Sequence, residues 1–552
     1  MPDLSEFRRQ FPLTVAGFAH LANREAWLHR VWELDEHLQN SIEKETYDVQ
    51  EEVIVKGDPP SNLAIEGEFE IIYAGGKLGL LHGAVMAARY GRRVLIFDTH
   101  SVGKTHHDWN VSGEEVQEFE RAGLFTKDEI EAAIVNRYES SFVKFHDTNS
   151  RLKAPPLRMN DVLNVALDAD KLLSLAANKI KKSETTSVLI DDLHFVRAYI
   201  GPKKVFVETE DKSGQRKLFA ARLFVDTTGT NSLVSRQLND GRSITHVCPT
   251  VGTVAKGFVH GPETDQVDFK VGEILVSTED TSDNRQLIWE GFAGSPRRDE
   301  YATYLFFYDS VHSSADKSLL NLFERYFESL PTYKKQGAHW RVVKPVFGFI
   351  PSFNNQGWTN QKQTAEDRVM LIGDAAGLSS SLAFCGFGSH IRNLHRLTHL
   401  TELALAADML DQAALSQINA YEPHVAQMSS LAEFMRPTSK SKPSTVNETM
   451  NAVMTALHSL DERVRRELFQ DRMTFTAFKS LLHRTARVYP RIFERVREHL
   501  GFKGTFWWLA NIAESFLNER RAKKEKTDDL VQHKDPAQEF EHYVKLYKNG
   551  RA

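Results

Sequence analysis

Cysteine is almost missing from these 552 residues. The two present, Cys248 and Cys385, lie far apart and form no CxxC pair. That excludes a disulfide scaffold and a cysteine-rich metal site, and it fits a reducing compartment. No uncharged apolar run approaches the roughly 18 residues of a membrane span. The opening MPDLSEFRRQFPLTV mixes acids and bases and lacks the apolar core of a signal peptide. A cytoplasmic protein, free or peripheral on a membrane, is the expectation. A net charge of −5 leaves no basic footprint, so nucleic acid is not an expected partner. Internal repeats are missing, and no spacing of Asp, Glu and His suggests a metal.

What is present reads as an ordinary globular chain, 41% hydrophobic and 26% charged. Its length allows roughly two to four domains. Residues 1–66 read as a polar helical extension with scattered Phe11, Phe18, Trp27 and Trp32, ended by Pro59-Pro60. Residues 67–410 read as a nucleotide-binding domain, with an antiparallel substrate sheet inserted at about 190–350. Alternating stretches such as KKVFVETED, QLIWEGF and YATYLFFYD supply its strands. In DVLNVALDADKLLSLAANKI, Asp168 or Asp170 caps a helix. Residues 411–552 read as a helical C-terminal region, with the charge run ERRAKKEKTDD a solvated end or tail.

Three motifs carry chemistry. The first is FEIIYAGGKLGLLHGAVMAARYGRRVLIFD, a strand, glycine turn, helix and strand in about thirty residues. Small residues at Gly75, Gly76 and Gly79 let backbone amides reach a pyrophosphate at the helix N-terminus. Alanine stands where the first glycine of GxGxxG is expected. Asp98 follows Gly76 by 22 positions, near the roughly 20 expected for a carboxylate on ribose hydroxyls. The second motif is LIGDAAGLSSSLAFCGFGSHIRNLHRL, where a strand ends at Gly373-Asp374 and a helix begins near Gly386-Phe387-Gly388. The third is LFVDTTGTNSLVSRQL, with Gly229 for a tight turn and Arg236 on the helix after it. A nicotinamide enzyme needs only the first. All three in this order argue for FAD, with Asp374 on the ribityl chain and the following helix aimed at the ring.

The second motif departs from that of flavin hydroxylases. Gly377 replaces their histidine, Ser381 stands where proline is common, and the Gly-Phe-Gly comes late. GDAAGLSSSLAFCGFGSHIRNLHRL instead resembles the lycopene cyclases of the CruA/CruP type found in green sulfur bacteria and cyanobacteria. HDWNVSGEEV, VCPTVGTVAKGF, LIWEGFAGSP and FGFIPSF match that family in the same order, over roughly residues 65–410. The resemblance implies an α/β fold: an FAD-binding Rossmann-type domain, glutathione-reductase-like or hydroxylase-like, carrying an inserted antiparallel substrate sheet. It implies a lipid substrate, lycopene or another acyclic carotene, cyclised to γ- or β-carotene without net redox change, with FAD required in reduced form.

Such a reaction needs an acid in an apolar pocket. Glu290 in QLIWEGF is the candidate, since alternation puts it with Ile288 and opposite Leu287 and Trp289, and an apolar setting beside Trp289 and Phe292 would raise its pKa. The ordinary alternative is a surface glutamate on a strand edge. Trp109, Trp289 and Phe387 are the expected substrate-pocket residues, though a tryptophan such as Trp109 fills core equally well. His390, His395 and Cys385 read as structural. A substrate living in the bilayer calls for peripheral membrane contact, for which Phe506, Trp507 and Trp508 beside Lys503, Arg520 and Arg521 are suited. A redox flavoenzyme acting on a prenyl lipid, and a non-catalytic relative that keeps the flavin motifs, remain alternatives.

Overall fold

The computed structural model of the chain describes residues 2–47, 52–105, 109–230, 232–242, 244–353, 362–380, 382, 386–418, 420, 422, 429–524 and 535–548. Ser381 and Cys385 lie outside the described residues, as do His107 and Asp108.

One mixed sheet carries the nucleotide motifs. Strand Ile65–Ala74 runs parallel between Val94–Phe97 and Arg216–Asp226, and Val369–Leu371 lies parallel beyond the last of these. Toward their C-terminal ends these strands become continuous apolar runs, packed on one face by helix Leu78–Ala88 and on the other by Leu193, Ala198, Val205 and Val207 with Val234 of a short helix. Helix Leu78–Ala88 is buried along most of its length, with Leu80, Leu81, Ala84 and Val85 fully inside. A meander of Leu193–Ile200, Val205–Asp211 and Arg216–Asp226 extends the same sheet, and Ile54–Lys56 pairs parallel at its edge. The stretch from 193 to 226 therefore belongs to the nucleotide sheet. Helix Ala169–Lys182 is capped by Asp168, whose carboxylate accepts from Lys171 N at 3.0 Å.

The second large sheet is predominantly antiparallel. Its central strand His246–Phe258 pairs with Gln336–Ser352 on one side and Glu300–Phe306 on the other. Outward from Glu300–Phe306 come Ile288–Ser295, Val271–Val276, Ser140–Lys144 and Leu157–Met159. One face packs on helix Leu319–Tyr333 and the N-terminal helices, burying Phe18, Leu28, Trp289, Phe323 and Tyr326. The other buries Phe145, Ile288, Phe292 and Phe306 against C-terminal helices through Met450, Phe478 and Trp508.

The N-terminal helices are locked to Leu319–Tyr333 by reciprocal capping. Asp35 accepts from Leu319 N, Ser318 Oγ and Leu320 N, while Glu324 accepts from Thr14 N, Thr14 Oγ1 and Leu13 N. The last helix, Pro536–Lys548, returns to the nucleotide domain and buries Phe540 and Val544 in its core.

Candidate functional site

Four parallel strands end at one edge of the nucleotide sheet, so their loops converge: Gly75–Leu78, Asp98, the turn after Asp226, and Gly373–Ala376. The first turn is shaped by contact with the third motif. Gly75 has φ +112°, and a Cβ there would lie 2.4 Å from the Thr227 carbonyl oxygen. A Cβ on Gly79 would lie 2.4 Å from Thr227 Oγ1, which itself donates to the carbonyls of Ala74 and Gly75. The two glycines thus let helix and strand close on each other. Gly76 N donates to Asp98 Oδ2 at 2.8 Å, and Asp98 Oδ1 accepts from His100 N at 2.9 Å. Asp98 therefore braces the turn at the position expected for a ribose. Among the described residues, no acceptor is found for the backbone amides of Lys77, Leu78 and Gly79. These orphan donors at the start of an 11-residue helix suit an anion.

The second motif packs directly on the first. Gly373 has φ +65°, and a Cβ there would meet Leu78 Cδ1 at 2.7 Å. Asp374 is accessible to solvent yet so enclosed by protein that burial raises its carboxyl pKa, against the pull of Lys77 and Lys362. Its carboxyl stands in the field of both lysines at this edge of the sheet. Lys362 is buried beside it. Its amine is pulled down to about 7 by burial, with Asp374 and Asp226 opposing. It donates to Ala375 O at 3.3 Å, and a Cβ on Gly377 would lie 2.8 Å from its Nζ.

In the third motif, Asp226 is buried and holds the turn, accepting from Thr228 N, Thr228 Oγ1 and Ser232 Oγ at 2.6–2.8 Å. Arg236 is buried in the short helix Leu233–Leu238 that follows.

The Gly-Phe-Gly opens helix Gly386–Ala406. Phe387 stacks on Trp109 with ring centroids 3.9 Å apart and planes 17° apart, so two residues expected in the substrate pocket meet. Gly388 has a different reason for being small. A Cβ there would lie 2.6 Å from Glu115 Oε2, because the buried Glu115 crosses the first turn of the helix on its way to Arg392. A Cβ on Gly386 would be in ordinary contact with Ser379 Oγ at 4.0 Å among the described residues. His390 and His395 are held down to about 4 by burial, and among the described residues His390 Nε2 and His395 Nδ1 have no hydrogen-bond partner.

Glu290 lies on strand Ile288–Ser295 opposite Tyr304, and its side chain is 5% exposed. The strand alternates as expected: Ile288 and Phe292 share its face, which also carries Cys248 and Phe306. Among the described residues no hydrogen bond to its carboxyl is found, and burial raises its pKa well above the ordinary range. The same face reaches the second motif, where Tyr308 Oη donates to Leu382 O at 2.5 Å. Trp289 is on the opposite face. Its indole is fully buried and stacks on Tyr333 at 4.5 Å, tilted against Tyr326. It shares a core with helix Leu319–Tyr333 and does not line the face that carries Glu290.

Thr227, Lys362 and Glu115 have no sequence signature that marks them; each acts through a contact distant in sequence. Arg30 is another. The N-terminal helix Arg24–Tyr47 brings its guanidinium within the field of Asp98, at the nucleotide edge.

No protein-family model matches the chain, and no curated protein matches its sequence. Solved structures do resemble it. Halogenase PltM in complex with phloroglucinol and FAD superposes with a TM-score of 0.53 at 14% identity, covering 87% of this chain and 98% of that one. A geranylgeranyl bacteriochlorophyll reductase-like protein from Thermoplasma acidophilum gives 0.52 at 13%, covering 78% and 99%. The p-nitrophenol 4-monooxygenase PnpA from Pseudomonas putida gives 0.51 at 15%, covering 76% and 99%. At such identities the likeness speaks to architecture: this chain has the Rossmann-type flavoprotein hydroxylase and reductase fold, with an inserted antiparallel sheet and a helical C-terminal region.

Proposed function

We propose that the chain is an FAD-dependent enzyme that cyclises the acyclic end of lycopene or a related carotene. The fit to FAD rests on the donor set. The amides of Lys77, Leu78 and Gly79 would take the pyrophosphate, Asp98 the ribose, and Asp374 the ribityl chain, with Arg236 and the start of helix Gly386–Ala406 nearby. Gly75, Gly76, Gly79 and Gly373 let the turns that form this cradle pack closely against one another. Protonated beside a bound anion, Lys77 and Lys362 would add positive charge where a dinucleotide is anionic.

The observation that carries the cyclase reading is Glu290, a buried acid among apolar neighbours with no hydrogen-bond partner among the described residues. Its neutral form has a proton to give. Protonation of the terminal C=C forms a C–H bond and leaves a tertiary cation. The internal C=C attacks that cation and closes the ring, and loss of a proton from the adjacent carbon restores a double bond and the Glu290 acid. Mass and electron count are unchanged. Bound and reduced, FAD would supply negative charge beside the developing cation. The Trp109–Phe387 stack offers an aromatic wall for the polyene.

The test is anaerobic incubation of the purified protein with lycopene in vesicles, with oxidised or reduced FAD, followed by pigment chromatography. A cyclic product of unchanged mass, formed only with reduced flavin, is expected. Intact lycopene alongside firmly bound FAD would sink the cyclase reading. The second reading, a flavin monooxygenase or reductase acting on a prenyl lipid, is favoured by the fold shared with PnpA and the reductase-like protein. It predicts stoichiometric consumption of NAD(P)H or oxygen.

A further inference from the structure

The long C-terminal helix Ile492–Lys524 is broken at Gly501, whose φ of 65° and ψ of −175° only glycine adopts easily. The break swings the second half, so that its two faces meet different surroundings. One face is anchored. Trp508 is 7% exposed and packs with Leu500 and Ile512 in the core under the substrate sheet. The other face carries Phe502, Phe506, Leu509 and Phe516 at helical spacing, with Leu517 beside them. All five are exposed, Phe502 at 86%. Five large apolar side chains on one face are too many for the scattered apolar surface of an ordinary soluble protein.

The charge around this stripe is one-sided. Residues 475–524 hold eleven Lys and Arg against four Glu, in a chain whose formal charge is −5. Lys479, Arg487, Arg491, Arg497, Lys503 and Arg520 are exposed, and the Arg520 guanidinium lies 4.9 Å over the Phe516 ring. No described helix is long and apolar enough to cross a membrane. A half-apolar helix flanked by cations, anchored by its back to the protein, suits lying in the plane of an interface.

We propose that the Phe502–Leu517 face docks this protein onto an anionic lipid bilayer, with the phenylalanines in the headgroup boundary and the basic residues on lipid phosphates. Of the rings expected to anchor, Trp508 faces the core and Phe506 faces outward, where Phe502, Leu509 and Phe516 join it. The proposal depends neither on the flavin nor on catalysis.

The experiment is flotation of the full-length protein with vesicles rich in phosphatidylglycerol, against pure phosphatidylcholine vesicles. Binding to the anionic vesicles is expected, weaker by ~10-fold on neutral ones or at high salt. Phe502→Ser/Phe506→Ser/Leu509→Ser should abolish flotation while thermal unfolding stays unchanged, since these side chains are exposed. Phe502→Ser alone, at the most exposed ring, should weaken it measurably, as should Lys503→Glu/Arg520→Glu. Absence of wild-type flotation, or equal flotation of the triple variant, overturns the proposal. So does a wild-type dimer in sedimentation that the triple variant dissolves without any vesicle binding, which would assign the face to a second copy of this chain.

Discussion

Two glutamates on adjacent strands of the substrate sheet meet opposite fates. Glu273 pairs in register with Gly291, one residue beyond Glu290, so the two carboxylates are near neighbours on opposite faces. Glu273 is fully satisfied: Lys334 Nζ donates to it at 2.5 Å and Tyr333 Oη at 2.6 Å, and Lys334 also reaches the carbonyls of Thr264 and Gln266. Tyr326 on that face is equally served, by Thr253 and Thr303 at 2.6 Å each. Among the described residues, Glu290 has none of this. Native proteins leave few buried polar groups unpaired, and those few concentrate where function overrides stability. One face of the sheet therefore holds its glutamate by paired donors, while on the proposed function the other keeps a carboxyl available for proton transfer.

The largest effects should separate the two residues by exchanging the quantity that changes. Glu273→Gln breaks a buried pair and strands Lys334, so unfolding stability should fall by about 3–5 kcal/mol, read as a lowered melting temperature. Glu290→Gln keeps shape and loses the proton donor. Its cyclisation rate should fall by ~10²–10⁴-fold, with FAD still bound and stability undiminished. If Glu290→Gln unfolds the protein or Glu273→Gln leaves it unmoved, the contrast between the faces is gone.

A pH series sharpens the same contrast. The folded pKa of Glu290 is raised, so its neutral burial is fully tolerated below the unfolded value of about 4.3. Stability is then lost as pH rises from there toward the folded pKa, by about 1.4 kcal/mol per unit. Glu290→Gln does not titrate, so its melting temperature should gain on the wild type as pH rises across that window. A constant gap would mean that the carboxyl finds a partner on ionising.

How far these contrasts could be read from the chain depends on the range of the contacts behind them. The glycine turn, the helix after it, Asp98 and the strand ending at Gly373-Asp374 follow from local pattern, and so does the alternation that sets Glu290 apart from Trp289. That same alternation removes Trp289 from the pocket, because a neighbour in sequence on a strand is a neighbour on the other face. The nucleotide sheet takes the meander from 193 to 226, since pairing rather than periodicity decides which sheet a strand joins. Gly388 is small because of Glu115, and that carboxylate is placed by Arg392, 277 positions away. Lys362 follows no period at all. Such approaches are made by tertiary packing, which leaves no trace in local spacing.

Between the two glutamates stands Asp35, which has hydrogen-bond donors but, among the described residues, no counter-ion. It caps helix Leu319–Tyr333 through two amides and a hydroxyl, yet burial carries its pKa up to about 6. The acid form is thus favoured on folding, so the stability it contributes is present below the unfolded value of about 3.9 and lost as pH rises through about 6. Asp35→Ala removes the cap and should cost about 1–2 kcal/mol, loosening the N-terminal helices from the sheet. Asp35→Asn keeps an acceptor for the cap and removes the charge, so it should lose less and flatten the pH slope between those values. Melting curves of the three proteins at pH values on either side of that window decide it. If Asn and Ala behave alike, the cap is a matter of charge; if Asn matches the wild type at low pH and surpasses it at high pH, hydrogen bonding alone holds this end of the helix, and Glu290 is set apart by having neither among the described residues.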